Sequence, residues 1–273
     1  MKTHRVLLLL ALAAMLAFVV ACDEDTTGND TEFAEPTTDD MDDTAEDFAA
    51  TLADPETGII TYWESEGLSD GGFASMKEGT VPQVADTSFE RGGITITIDR
   101  TFYDIEDNPS EVYDSSSTVR MTRLLTMEGE RTGARRSATI DHESFIDVTG
   151  MASDDTVRTI NGNGSREVSS TFQARWRPVQ RTFEAVHTWQ EHDIERHVDR
   201  RANPYPLSGS ITGATDIVRS AERGNRTRTV EVNVEFTVTF DGSRYAMVEI
   251  VDGPTYWVDL DTGLAYRERP DEG

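Results

Sequence analysis

The sequence predicts an all-β domain, an antiparallel meander forming a β-sandwich or a curled half-barrel, after a disordered acidic N-terminal tether. Three observations predict it. Past residue 57 apolar residues recur with period two, clusters of Gly, Asn, Asp and Pro punctuate the runs, and no helical periodicity of comparable length follows. Successive side chains of a strand point to opposite faces, so this rhythm gives each strand one apolar and one wet side.

The clearest strand is Thr229 to Phe240, where Val230, Val232, Val234, Phe236, Val238 and Phe240 alternate with polar residues. Ile94, Ile96 and Ile98 alternate with threonines in the same way. Val168, Phe172, Ala174 and Trp176 share a phase within Ser165 to Trp176, and Val179, Phe183, Ala185 and Trp189 follow suit. Turn signals stand between or beside these runs: Asn108-Pro109, Asn161-Gly162-Asn163-Gly164, Arg177-Pro178, Gly224-Asn225, Asp241-Gly242, Asp252-Gly253-Pro254 and Asp261-Thr262-Gly263. At Asp241-Gly242 a two-residue turn sets Val234 opposite Glu249. A three-residue loop, Phe240-Asp241-Gly242 with Gly242 left-handed, instead pairs Phe236 with Ala246, Val234 with Val248 and Val232 with Ile250, and is the expected one. Nothing alternates strand with helix as a parallel α/β fold requires. Residues 57–273 are enough chain for one good-sized core.

Residues 1–21 read as an export signal: Lys2 and Arg5 precede an unbroken apolar run from Val6 to Val20. That run is short for a hydrocarbon core, which takes about 20 residues, so it reads as cleaved rather than as a span. The stretch Val19-Val20-Ala21-Cys22 resembles the lipobox of bacterial lipoproteins, with the sole cysteine of the chain at its end. The resemblance implies cleavage before Cys22 and a lipid on its thiol. The membrane is then a partner through that lipid, and the protein is anchored outside the cytoplasm in the cell envelope, in the periplasm or at the cell surface. Asp23 resembles an inner-membrane retention signal and Asp23-Glu24-Asp25 a surface-export signal, so the leaflet stays open.

Residues 22–56 are expected to be an acidic tether. From Asp23 to Glu56 there are 14 acids and no Lys or Arg, too much charge and too little apolar surface to offset the entropy of ordering. One stretch departs from this, Thr44 to Leu52, where Thr44 can cap a short helix and Phe48 and Leu52 share a face. Over the whole chain 51 Asp and Glu face 25 Lys and Arg, a net charge of −26, which excludes a nucleic-acid partner. A single cysteine excludes an internal disulfide and a Cys-based zinc site. Beyond the signal the bases are 22 Arg and Lys77 alone, the surface style of proteins working in concentrated salt or the mark of Arg-rich codon usage.

Candidate chemistry is sparse, and no motif implies a cofactor. His142 falls in phase with Ala138, Ile140, Ile146 and Val148, and His187 with Phe183, Ala185 and Trp189, so both point to the apolar side. On adjacent strands the pair can ligate a metal or line a cavity; the competing reading is two hydrogen-bonded core histidines. His187, His192 and His197 are spaced by five, which alternates faces along a strand. Asp104, Glu106 and Asp107, and Asp259 with Asp261, offer oxygen ligands without the spacing of a calcium loop. Asp261-Thr262-Gly263 resembles the aspartic-protease triplet, but its partner triplet is missing from the chain, and a turn with Gly263 at positive φ accounts for it. The expected function is a non-catalytic envelope lipoprotein whose β domain serves binding or structure, with an envelope protein or an apolar ligand as partner. The alternative is a carrier or chaperone for lipid or another apolar ligand, its curled sheet lined by Trp176, Trp189, Tyr205, Tyr256 and Trp257. A metal-dependent hydrolase built on His142 and His187 is the third.

Overall fold

The period-two segments pair with one another, largely in chain order, into a single antiparallel sheet. The computed structural model describes residues 30–34, 45, 52, 86–132, 136–173, 179–199, 201–223 and 226–270. Its strands are β1 (Asp30–Ala34), β2 (Asp86–Arg91), β3 (Ile94–Tyr103), β4 (Pro109–Ser110), β5 (Arg120–Thr132), β6 (Arg136–Thr149) and β7 (Val157–Gln173). The remainder are β8 (Val179–His197), β9 (Ser208–Arg223), β10 (Arg226–Thr239), β11 (Tyr245–Ile250), β12 (Thr255–Asp259) and β13 (Ala265–Tyr266). The sheet order is β13-β12-β11-β10-β9-β8-β7-β6-β5-β3-β2, with β4 on β3 and β1 on β10. This meander is one open antiparallel sheet, in keeping with the all-β meander expected.

One face is buried almost throughout. Phe102, Met121, Val148, Ile160, Ile194, Ile211, Val238, Val248 and Val258 carry the same core cluster from β3 to β12, and Ile94, Ile96, Ile98, Leu125 and Met127 make a second one at the β3–β5 end. The core also contains Ala45 and Leu52, helical and exposed by only 3% and 0%. The stretch expected as a tether therefore contributes a strand and two core residues; Phe48 lies outside the described residues.

Two features of register differ from expectation. Asn161-Gly162-Asn163-Gly164 is the middle of β7, not a turn. Trp189 of β8, directly opposite Gly164, lies across it, and a Cβ on Gly164 would collide with the indole. The glycine is there for close approach, not for reversal. The β10–β11 hairpin pairs Phe236 with Ile250 and Val238 with Val248, four residues longer in its loop than the expected register. An even shift keeps the same faces buried, which is why alternation alone did not distinguish the two. The longer loop turns Phe240 into the core, lets Asp241 Oδ1 accept from the Ser243 amide at 3.0 Å, and places Arg244 on Asp259. Gly242 is left-handed, with φ 83°.

Strand β8 carries one extra residue relative to both neighbours. Ile160 faces Ile194 but Gly162 faces Glu191, and His192 faces Ser210 but Glu195 faces Ser208. The bulge centres on Asp193, which has φ 47°. It changes the phase of the strand: Ala185, His187, Trp189 and Glu191 are buried before it, Ile194 and Arg196 after it. His197 consequently shares the outer face with His192 instead of the inner face with His187, a correction to the strict alternation expected.

Candidate binding site

Neighbouring strands set inner-face residues in rows. One row runs Met127, His142, Arg166, His187, Thr215, Val234 from β5 to β10. The row beside it runs Leu125, Ser144, Gly164, Trp189, Gly213, Phe236. A polar strip thus crosses an otherwise apolar face, with Arg123, His142, Arg166, His187, Glu191, Arg196 and Thr215 all under 8% exposed. Three hydrogen bonds engage its His142, His187 and Glu191 side chains. His142 Nε2 and Ser144 Oγ share a hydrogen bond at 3.1 Å, His187 Nδ1 and Thr215 Oγ1 one at 3.0 Å, and Trp189 Nε1 donates to Glu191 Oε1 at 3.3 Å. The His142 and Trp189 rings lie 5.5 Å apart.

The two histidines share the inner face, as their phase requires, but not adjacent strands. Arg166 of β7 stands between them, and two strand spacings put their backbones about 9.6 Å apart. Burial, and then the charge of Arg166, pull His142 down to about 3 and His187 down to about 4, with Arg123 adding to the effect on His142. Both imidazoles are therefore neutral near pH 7. A fixed guanidinium between them repels any cation they would share, and among the described residues no group of three or more His, Cys, Asp or Glu is placed to hold a metal.

The aromatic residues expected to line a carrier's cavity are dispersed. Trp189 and Tyr256 are buried in the core. Trp257 is on the opposite face from Tyr256, under the Arg269 guanidinium at 4.9 Å. Tyr205 sits in the β8–β9 connection, where its hydroxyl donates to Asp261 Oδ2 at 3.0 Å. Trp176 lies outside the described residues, as does Cys22. The acidic clusters serve local structure. Asp104 accepts from the Glu106 and Asn108 amides, Asp107 pairs with Arg120, and Asp259 and Asp261 both pair with Arg244. Asp261-Thr262-Gly263 forms the β12–β13 turn, with Gly263 at φ 67°.

Among the described residues an opening in the surface lies on the other side of the sheet. A trough of about 520 Å³ crosses the outer face of β6 to β10, within the range of about 300–1,000 Å³ usual for ligand sites. One side is the cross-strand row Glu143, Ser165, Thr188, Ala214, Glu235, and the other is Phe145, Asn163, Gln190, Thr212. Phe145 is 40% exposed, a large apolar ring facing water. Sequence reasoning did not find these residues. Their signal was present as the polar phase of the same strands, but polar alternation marks any solvated face, and reading Asn163-Gly164 as a turn removed the centre of the trough from the sheet. Comparison with family models, with curated proteins and with solved structures finds no match to this chain.

Proposed function

We propose that this chain is a lipid-anchored, extracytoplasmic binding protein of the cell envelope, held at the membrane by an acylated Cys22, with the outer-face trough as its binding surface. The trough carries the reading. It is a solvent-open depression across five central strands of the sheet, lined by two neighbouring cross-strand rows. The inner face is used differently: its polar strip is buried, with His142 bonded to Ser144 and His187 to Thr215. The anchor rests on Val19-Val20-Ala21-Cys22 and the apolar run before it.

A photo-crosslinking amino acid at Thr212, in the full chain expressed in a bacterial envelope, is expected to capture an envelope component that the same probe at Thr95 on β3 does not. Equal labelling from the two positions would overturn the trough as the binding surface. Replacing Cys22 with Ala is expected to abolish incorporation of labelled fatty acid and release the chain from the membrane fraction. Unchanged incorporation would overturn the anchor.

A further inference from the structure

Resting on the trough as the binding surface, we infer that its ligand is a neutral saccharide. The lining argues by what it offers. Asn163 and Gln190 face one another across β7 and β8, each a planar group with two donors and one acceptor oxygen. Ser165, Thr188 and Thr212 add hydroxyls that both donate and accept. Vicinal hydroxyls of a sugar need this mixture, because each is itself donor and acceptor. The exposed ring of Phe145 at one end supplies a flat apolar platform for the C–H face of a pyranose. From Glu143 to Glu235 the row spans four strand spacings, about 19 Å, long enough for more than one sugar ring.

The same lining argues by what it withholds. Among the described lining residues there is no Lys or Arg, and Glu143 and Glu235 flank the trough, so a phosphate or carboxylate ligand meets repulsion without a partner. Only Phe145 and Ala214 among the described lining residues carry a side chain without a polar atom, too little apolar surface for a lipid chain. A cationic peptide would use the two carboxylates, yet they stand at opposite ends with uncharged hydrogen-bonding groups between them.

Isothermal titration of the full chain with cellotriose, maltotriose and tri-N-acetylchitotriose, with a tetralysine peptide in parallel, tests the assignment. The indole of Trp189, beneath the trough, gives a second readout in its fluorescence. Saturable binding of at least one saccharide is expected, weakened about tenfold by Gln190→Ala and by Phe145→Ala, in line with about 1.4 kcal/mol for a lost contact, and unchanged by Thr95→Ala. No saturable binding of any of the three at millimolar concentration overturns the saccharide. So does binding that ignores both trough variants. Saturable tetralysine binding without saccharide binding overturns the saccharide but leaves the trough a binding surface, whereas the crosslinking comparison between Thr212 and Thr95 bears on the surface itself.

Discussion

Asn161 of β7 and Asp193 of β8 clasp one another across the single bulge that sets the phase of the longest strand. The Asp193 amide donates to Asn161 Oδ1 at 2.8 Å, and Asn161 Nδ2 donates to Asp193 Oδ1 at 3.1 Å. The second bond has a charged acceptor, and together they hold a non-glycine residue at φ 47°, a conformation L-residues adopt at a cost. Without the extra residue, Ile194 and Arg196 would turn outward and His197 inward.

Asn161→Ala should therefore cost about 0.5–1.5 kcal/mol, the loss of one neutral and one charge-assisted hydrogen bond at an exposed site. Urea denaturation measures it. The informative control is Asn161→Asp, which keeps one acceptor for the Asp193 amide but sets two carboxylates against each other; it should be no better than Ala. An Asn161→Ala stability within error of wild type would mean that the backbone pairing alone holds the bulge.

Gly164→Ala places a methyl against the Trp189 indole, which lies directly opposite on β8. Trp189 is 3% exposed and also contacts His142, so it cannot swing aside without disturbing the polar strip. Overpacking of this kind costs about 1–3 kcal/mol. The near-ultraviolet circular dichroism of the tryptophan should change along with the midpoint. Full stability with an unaltered aromatic spectrum would place the indole elsewhere.

These two positions also show how far residue order reveals the fold. Alternation named β3, β7, β8 and β10 and their buried phase, because a period of two is a direct consequence of strand geometry and each valine or isoleucine reports it locally. It did not reveal that Asn161 to Gly164 stays in the sheet, since Asn-Gly is a turn signal from chain-local torsional preference and the reason for Gly164 is a tryptophan 25 positions away in the chain. Nor did it reveal the Asp193 bulge, which is set by Asn161 across the ladder. The phase of His142 and His187 puts both on the apolar face, where they are buried, while Arg166 between them depends on strand order, which alternation does not encode.

Arg244 and Asp259 fasten the β10–β11 loop to β12. Arg244 Nε donates to Asp259 Oδ1 at 2.7 Å, and the Asp261 amide donates to the same oxygen at 3.0 Å. Burial pushes the Asp259 carboxyl up, but the bonds from Arg244 and Asp261 outweigh it and leave the group below its ordinary value. The Asp259 side chain is 3% exposed, so removing its cation strands a buried charge. Arg244→Ala is expected to destabilise the fold, by less than breaking a fully buried pair because Arg244 itself is exposed to solvent. Asp259→Asn in that background should recover part of the loss, and thermal unfolding of the two singles and the double reads the coupling. Strict additivity would show that the pair contributes nothing beyond its separate parts.

The buried histidines make stability depend on acid. In the unfolded chain both titrate near 6.5, whereas in the fold His142 stays neutral down to about 3 and His187 down to about 4. Between about pH 4 and 6.5 the unfolded chain thus binds more protons than the folded one, so lowering the pH through this window favours unfolding. Each histidine contributes a slope approaching about 1.4 kcal/mol per pH unit. The contribution is fully present above 6.5 and stops falling once the folded imidazoles protonate. Arg123 and Arg166 face His142 and Arg166 faces His187, so a protonated ring meets like charge as well as a dry environment. Urea denaturation at several pH values should show stability falling steadily below about pH 6.5. His142→Gln and His187→Gln, which keep a hydrogen-bonding group beside Ser144 and Thr215, should each flatten that fall even where they lower stability at neutral pH. A slope unchanged by both substitutions would place the acid sensitivity in the carboxylates, and the strip of His142, Arg166 and His187 would then have no part in it.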